Sequence, residues 1–375
     1  MPSLRRLPFP AGAGLGYHRR MSASSEASPL DISIAGLGNV GRALLGILAS
    51  DSEASRRFRV VLLGDSSGAL AEPAGFPAPR LAELAEAKRR GGSLAGEAGA
   101  EPGEGAFILA MRRLQPRIHV ELGPTDPETG GPSLGRILAA LELGAFAASA
   151  SKGPFAAAWD RLAAAAGGEE AFWRRLRFSA TVGAGLPLID AGRALAAGSP
   201  IRGLAAALNG TSSLVLSLME EGLSLEAAVG RAQELGMAEA DPSADLDGLD
   251  AAVKLAILSR AVLGEALPLQ RIARESVRLA SPERLARAAA AGRRLRAIGR
   301  LSRLPGGGVE AAVRLEELPP DSPLAAAGGG AALVYDCERS GEVAVSGRGA
   351  GPLETASAAY RDLVSLAAAG ASDRG

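Results

Sequence analysis

The chain has 375 residues, of which 47% are hydrophobic and 22% are charged, with 41 basic and 41 acidic side chains. This length is sufficient for two domains with their own cores, and the net charge of zero gives no support for nucleic-acid binding. A single cysteine excludes an internal disulfide and is typical of a reducing, cytoplasmic location. One cysteine and two histidines do not suffice for a zinc site of the usual kind, and no apolar run reaches the length of a membrane span.

Residues 1–29 carry four arginines, several serines and a single acid, Glu26. This composition is compatible with an organelle transit peptide, and equally with a misassigned start in which Met21 begins the protein. We expect a disordered leader that stays outside the fold.

A glycine motif follows the first expected strand, 30–35, and precedes a helical pattern that starts at Arg42. The order G-x-G-x-x-G between a strand and a helix is the dinucleotide-binding fingerprint. Its glycines allow a tight turn, close approach of the backbone to a pyrophosphate, and packing of the helix on the strand. The predicted cofactor-binding residues are Gly36, Gly38, Asn39, Val40 and Gly41.

Asp65 ends the second expected strand, 58–64. An acid at this point would accept hydrogen bonds from the adenosine ribose and would favour NAD over NADP. Asp65 is also compatible with a plain turn residue before Ser66, and both interpretations stay open.

Two further positions lie where the ligands of open α/β sheets bind, beyond the carboxyl ends of strands. Thr125 follows the expected strand 118–122, and Lys152 follows the strand that starts near Ala145. We interpret residues 86–105, which are rich in Gly, Ala, Glu and Arg, as a surface excursion. The segment 178–189 reads as a strand, a glycine loop and a helix.

The chain contains three lysines, Lys88, Lys152 and Lys254, whereas arginine supplies almost every other basic side chain. Arginine serves a solvated salt bridge equally well but cannot release a proton. Lys152 and Lys254 are therefore candidates for proton transfer, and Lys88, in a polar stretch, is expected to be solvated.

Lys254 follows an acid-rich stretch, 236–250, and stands on an otherwise apolar helix expected at 251–263. Asp250 precedes it by four residues, which places both side chains on one helix face. Because burial disfavours a charged amine, a lysine on such a helix needs a partner. An ordinary surface salt bridge is the alternative, since exposed pairs at this spacing are common and weak.

From about Asp31 to Ala368 the chain resembles homoserine dehydrogenase. The resemblance lies in the glycine motif, in the stretch 236–254 and in five further segments: 120–125, 150–154, 180–187, 208–213, and 347–351 with Thr355. It implies reversible, NAD(P)-dependent hydride transfer between L-homoserine and L-aspartate 4-semialdehyde, on the route to threonine, methionine and isoleucine.

The resemblance also implies roles for single residues. Lys254 resembles the proton donor to the carbonyl oxygen, and Lys152 the lysine between nicotinamide and substrate. The carboxylates implied to hold the substrate ammonium or orient the lysine are Glu239, Asp245 and Asp250. Further implied contacts are Gly210 and Thr211 to the substrate, and Gly236 and Gly351 to the cofactor.

A monovalent cation site, Na⁺ or K⁺, is a further implication of the resemblance. Its backbone carbonyls would be those of Val182, Ala184 and Leu186. Ser179 stands where the family has an acidic ligand, and a hydroxyl binds a cation more weakly than a carboxylate. Ser151 and Arg348 also depart from the family pattern, at positions where Asn and Pro are usual.

We therefore predict an α/β fold. It combines a Rossmann-type nucleotide-binding domain, an α+β substrate and dimerisation domain, and a last helix that returns to the first domain. The expected boundaries are 1–29 for the leader, 30–155, 156–346 and 347–375. A homodimer is implied by the resemblance. Longer family members carry a regulatory domain, and because this chain ends at Gly375 we expect weak or absent threonine feedback.

Two other functions stay open. A related oxidoreductase could act on another amino-acid-derived aldehyde with the same lysines. A non-catalytic nucleotide-binding sensor could keep the fold without the reaction, because a fold alone does not establish an activity.

Overall fold

The structure is a computed structural model that describes residues 28–325 and 330–372. All but the last two residues of the expected leader, 1–29, lie outside the described residues. The described chain forms two sheets, a seven-stranded and a six-stranded one. Within these described ranges, no helix is both long and apolar enough to cross a membrane.

The seven-stranded sheet has the order β4-β3-β2-β1-β5-β6-β7. Strand β1 lies between β2 and β5 and runs parallel to both, which places the switch in strand order at its carboxyl end. The buried Val-Val-Leu-Leu run of β2 is typical of a strand covered on both faces. The strands are β1 Leu30–Ala35, β2 Phe58–Gly64, β3 Gly68–Ala71, β4 Glu101–Pro102, β5 Ile118–Glu121, β6 Phe146–Ser149 and β7 Leu176–Arg177.

Helices connect and cover these strands. They are α1 Asn39–Ser50, α2 Ser52–Arg57, α3 Ala78–Arg89, α4 Ala106–Leu114, α5 Gly131–Glu142, α6 Gly153–Ala157, α7 Trp159–Ala166 and α8 Glu169–Arg175.

The six-stranded sheet has the order β13-β12-β8-β10-β11-β9 and is antiparallel except for the short β9–β11 pair. Its strands are β8 Ile201–Ala207, β9 Ala273–Arg274, β10 Arg294–Arg303, β11 Val309–Leu318, β12 Gly330–Cys337 and β13 Gly341–Arg348. The accompanying helices are α9 Leu188–Gly198, α10 Gly210–Glu220, α11 Leu225–Glu234, α12 Ser243–Leu246, α13 Leu249–Leu258, α14 Pro282–Ala290 and α15 Pro352–Ser372.

Capping side chains set the starts of several of these helices. Asn209, Ser224 and Ser281 each accept a hydrogen bond from a first-turn N–H group of α10, α11 and α14. Helix α13 continues as a π-helical turn over Ser259–Leu263, so the helix expected at 251–263 is confirmed with an irregular last turn.

Helix α15 leaves the second sheet and packs on the first domain. Ala356, Ala359 and Leu363 are fully buried in the same core as Ile32 and Leu44 of β1 and α1. The predicted two-domain α/β fold with a returning last helix is therefore confirmed.

Three expectations differ from the structure. Residues 86–105 are not a simple excursion, because β4 pairs with β3 within them. No strand begins at Phe178: the strand is β7, and a 3-10 turn follows it at Ser179–Thr181. Because β7 pairs with β6, a division of the chain at residue 155 separates β7 from its own sheet.

Candidate active site

The glycine turn between β1 and α1 leaves room for a dinucleotide. Gly36 has φ of +93°, and a Cβ there would meet the backbone of Leu122 at 2.4 Å. A Cβ at Gly41 would meet the Gly36 carbonyl oxygen, which explains the close packing of helix and strand. At Gly38 no atom of the described residues lies within 4 Å of such a Cβ, and none of their side chains caps the start of α1. The first-turn N–H groups of α1 therefore fit phosphate oxygens.

A cavity of about 290 Å³ lies beside this turn. Its walls come from the carboxyl ends of β1, β2 and β5 and from helices α4 and α5. The lining residues include Gly36, Asp65, Ser66, Phe107, Gly123 and Arg136. The sequence did not predict that Phe107 and Arg136 line this cavity. Each is a single side chain on a helix that packs against the sheet, and neither belongs to a sequence motif.

Asp65, at the end of β2, is held by several donors. Lys88 Nζ lies 2.6 Å from its Oδ2, the N–H of Leu94 donates to the same oxygen at 3.0 Å, and Ser67 donates to its Oδ1. Burial raises the pKa of Asp65, but these donors outweigh that effect and lower the pKa to about 2. The expectation that Lys88 is solvated is wrong: its side chain is 18% exposed and paired.

A buried polar network supports the floor of the cavity. Arg136 donates to both carboxylate oxygens of Glu121, at 2.7 and 3.0 Å, and the N–H of Gly123 donates to the same group at 2.8 Å. His119 lies between Ser33 and Glu121 and is fully buried. This network fixes the loop after β5, which leads to Thr125.

The second cluster lies where β6, α10 and α13 meet. Lys254 Nζ is 2.6 Å from Oδ2 of Asp250, and Lys152 Nζ is 3.5 Å from its Oδ1. The side chains of Lys254 and Asp250 are 12% and 15% exposed, which contradicts the alternative of a solvated surface pair. Lys152 follows β6 and begins α6, and its backbone N–H lies 3.4 Å from Thr125 Oγ1. The structure thus joins two lysines that are 102 positions apart in sequence.

Asn209 also belongs to this cluster, although the sequence did not single it out as a functional residue. Its amide donates to Asp250 Oδ2 at 3.0 Å and to Asp245 Oδ1 at 2.6 Å. Its Oδ1 accepts the N–H of Ser212 at the start of α10. The sequence signal was its position between a strand and a helix, which is also that of an ordinary N-cap.

The charges of the cluster favour an ionised carboxylate. Burial alone raises the pKa of Asp250, but attraction to Lys254 and Lys152 outweighs it and holds the pKa well below its usual value. Lys254 Nζ also donates to the Leu208 carbonyl at 2.6 Å. An ammonium has three N–H bonds, so among the described residues one remains for a substrate oxygen.

The other predicted substrate residues differ in their contacts and exposure. Glu239 is exposed, whereas Asp245 is bound by Asn209, and the Thr211 hydroxyl donates to the Met237 carbonyl at 2.7 Å. Gly236 and Gly351 have φ of +69° and +127°, in the left-handed region that favours glycine. Gly351 precedes α15 on the side of the first domain.

Protein groups from α15 contact the loop that is implied to bind a cation. Ser179 donates its hydroxyl and its N–H to Asp362, at 2.6 and 2.9 Å. Arg361 donates to the Gly185 carbonyl at 3.1 Å and to Ser179 Oγ at 3.2 Å. The described residues contain no group of three or more His, Cys, Asp or Glu side chains that could hold a metal ion. Arg361 therefore places a positive charge within hydrogen-bonding distance of one carbonyl of this loop, that of Gly185.

The chain is similar to several known proteins. The family model described as homoserine dehydrogenase matches residues 187–364. Homoserine dehydrogenase of Methanocaldococcus jannaschii is 31% identical over 346 residues, which are 90% of this chain and 98% of that relative. The NAD(+)-dependent homoserine dehydrogenase of Pseudomonas canavaninivorans is 31% identical over 345 residues, 89% of this chain and 95% of that relative.

A solved structure shows the same fold. A hyperthermophilic archaeal homoserine dehydrogenase in complex with NADPH superposes with a TM-score of 0.73 at 28% identity, covering 90% of this chain and 97% of that chain. The relatives therefore include one that is NAD(+)-dependent and one that is seen with NADPH. The chain belongs to the homoserine dehydrogenase family of NAD(P)-dependent oxidoreductases.

Proposed function

We propose that the chain interconverts L-homoserine and L-aspartate 4-semialdehyde, with Lys254 as the group that moves the proton. The position of Lys254 Nζ supports this role, since Asp250 and the Leu208 carbonyl hold it at 2.6 Å each and, among the described residues, leave one N–H direction open. The nicotinamide supplies the hydride chemistry when the cofactor is bound. The protein has to orient the substrate and transfer the proton on its oxygen.

In the direction of reduction, negative charge develops on the aldehyde oxygen as its carbon gains a hydride. Lys254 gives a proton to that oxygen and completes the alcohol, and Lys152 adds a second positive charge nearby. In the direction of oxidation, Lys254 in its neutral form takes the hydroxyl proton while the carbon loses its hydride. Asp250 holds both lysines in place through its two oxygens.

The amino-acid end of the substrate needs a carboxylate for its ammonium and donors for its own carboxylate. Glu239 is exposed and provides the former. One carboxylate oxygen of Asp245 accepts a hydrogen bond from Asn209, and its second oxygen is able to bind the substrate ammonium as well. Gly210, Thr211 and Ser212 are the first residues of α10. The side chain of Asn209 accepts a hydrogen bond from the N–H group of Ser212. The N–H groups of Gly210 and Thr211 are therefore suited to donate hydrogen bonds to the substrate carboxylate.

The adenosine end of the dinucleotide fits the cavity of about 290 Å³ that Asp65 and Phe107 line. Asp65 already binds Lys88, so the edge of the cavity carries a neutral pair instead of a lone carboxylate. This arrangement is compatible with either cofactor, NAD or NADP. For the assembly we propose a homodimer through the six-stranded sheet, whose edge strand β13 is largely exposed.

The test of the function is a steady-state assay of L-homoserine oxidation with NAD⁺ and with NADP⁺. L-serine, L-threonine and a homologue one methylene longer serve as comparison substrates. We expect kcat/KM to be highest for L-homoserine. A higher value for another amino alcohol would favour the related oxidoreductase, and binding of a dinucleotide without turnover of any substrate would favour the sensor. Size-exclusion chromatography with light scattering tests the dimer.

A further inference from the structure

The loop 182–186, between the 3-10 turn and α9, is held in an unusual conformation. Gly183 has φ of +85° and Ala184 has φ of +50°, which costs a residue with a Cβ about 1–2 kcal/mol. Of the three carbonyls implied to bind a cation, that of Leu186 already accepts the N–H of Leu188 at 2.9 Å. A strained backbone persists only where the surrounding structure stabilises it, so contacts with other parts of the protein must stabilise this loop.

Arg361, on α15, is placed to do so. Its Nη1 donates to the Gly185 carbonyl at 3.1 Å, between Ala184 and Leu186, and its Nη2 donates to Ser179 Oγ at 3.2 Å. The Nε of Arg361 is buried without a hydrogen-bond partner in the described part of the chain. The guanidinium therefore links Ser179 to the Gly185 carbonyl, across the segment that contains the predicted carbonyl ligands.

The charged side chains around the loop already carry both signs. Asp362 supplies one carboxylate, whose two oxygens are taken by the hydroxyl and the N–H of Ser179, and Arg361 supplies one positive charge beside it. A neighbouring cavity of about 110 Å³ contains Asp190 but also Arg177 and Arg193. A further monovalent cation would face repulsion from these guanidinium groups.

We infer that Arg361 serves as a built-in cation for the loop 182–186, so that the enzyme works without a bound Na⁺ or K⁺. Arg361 is a positioning residue. The loop lies against the segment that presents Gly351 to the cofactor, since a Cβ at Gly185 would lie 3.4 Å from Glu354 and one at Gly347 would lie 2.9 Å from Leu186. A displaced loop would therefore weaken dinucleotide binding first.

The test compares the wild-type enzyme in N-methylglucamine chloride, NaCl and KCl at one ionic strength. We expect the same kcat/KM and the same Tm in all three, because an ion that binds the native state raises Tm with its concentration. A saturable rise in either quantity with Na⁺ or K⁺ would overturn the inference. The Tm needs no turnover, so this result is independent of the substrate assignment.

Arg361→Ala tests the role of the charge, with Arg202→Ala as a matched control in an exposed ion pair with Asp336. We expect Arg361→Ala to raise KM for the dinucleotide more than it lowers kcat, with a loss of about tenfold or more in kcat/KM. Guanidinium chloride at sub-denaturing concentration, or Na⁺ or K⁺, should restore part of it. A folded Arg361→Ala enzyme with unchanged KM, or without rescue by any cation, would contradict the inference.

Discussion

Lys254 and Asp250 form a nearly buried ion pair, with 2.6 Å between Nζ and Oδ2, on one face of helix α13. The spacing of four residues makes the pair local, while its surroundings come from distant parts of the chain: Leu208, Asn209 and Lys152. A lysine held in this way has a fixed position for its remaining proton. That geometry is what a proton transfer to a substrate oxygen requires.

Lys152→Arg should keep more activity than a change that removes the charge. The 3.5 Å contact of Lys152 with Asp250 is electrostatic, and the proposed role of Lys152 is to add positive charge near the developing alkoxide. We expect Lys152→Arg to lower kcat by about tenfold and Lys152→Met by about a hundredfold or more. Steady-state kinetics with saturating dinucleotide measure both. Equal losses would indicate that Lys152 acts through its own proton instead of its charge.

Asn209→Ala should separate a catalytic effect from a loss of helix capping. The substitution removes the N-cap of α10, which costs about 1 kcal/mol of stability, and also removes the amide that joins Asp245 to Asp250. Ser281→Ala removes the N-cap of α14, which contributes no side chain to the cluster, and is the matched control. We expect similar losses of Tm in both variants but a lower kcat in Asn209→Ala. An unchanged kcat would limit Asn209 to capping.

Asp65→Ala should shift the cofactor preference towards NADP⁺. Without its carboxylate, Lys88 is left unpaired beside the cavity and attracts the 2′-phosphate. We expect the ratio of kcat/KM for NADP⁺ to that for NAD⁺ to rise by about tenfold, equivalent to one charge-assisted hydrogen bond. The double variant Asp65→Ala/Lys88→Ala is the control and should lose this gain. An equal rise of this kcat/KM ratio in the single and the double variant would show that Lys88 does not reach the 2′-phosphate.

Glu121→Gln should destabilise the fold in a pH-dependent way. Burial raises the pKa of Glu121, but His119 and Arg136 outweigh it and lower the pKa from 4.5 to about 2. The ionised carboxylate therefore contributes stability above pH 4.5, about 3 kcal/mol, which is lost as the pH falls towards 2.

Urea unfolding of the wild type and Glu121→Gln at several pH values measures this contribution. The difference in free energy of unfolding should be largest above pH 4.5 and narrow between pH 4.5 and 2. A difference that does not change with pH would show that the charge of Glu121 contributes nothing.

The sequence predicted those parts of the fold and site that depend on local patterns. The glycine turn at 36–41 and the pair Asp250–Lys254 both lie within short segments, so their spacing alone carries the information. Arg136, Asn209 and Arg361 act through contacts between elements far apart in sequence, and no periodicity reports such contacts. Lys88 was misjudged for the same reason, because its partner lies 23 residues earlier, across a folded-back segment.

The measurement that tests the role of Lys254 most directly is the rate of L-homoserine oxidation by Lys254→Arg, with dinucleotide binding measured on the same preparation. Arginine keeps the positive charge but cannot accept the hydroxyl proton. We predict a loss of kcat of about 10² to 10⁴ with dinucleotide affinity retained. A variant that keeps wild-type kcat would contradict the assignment of Lys254 as the group that moves the proton.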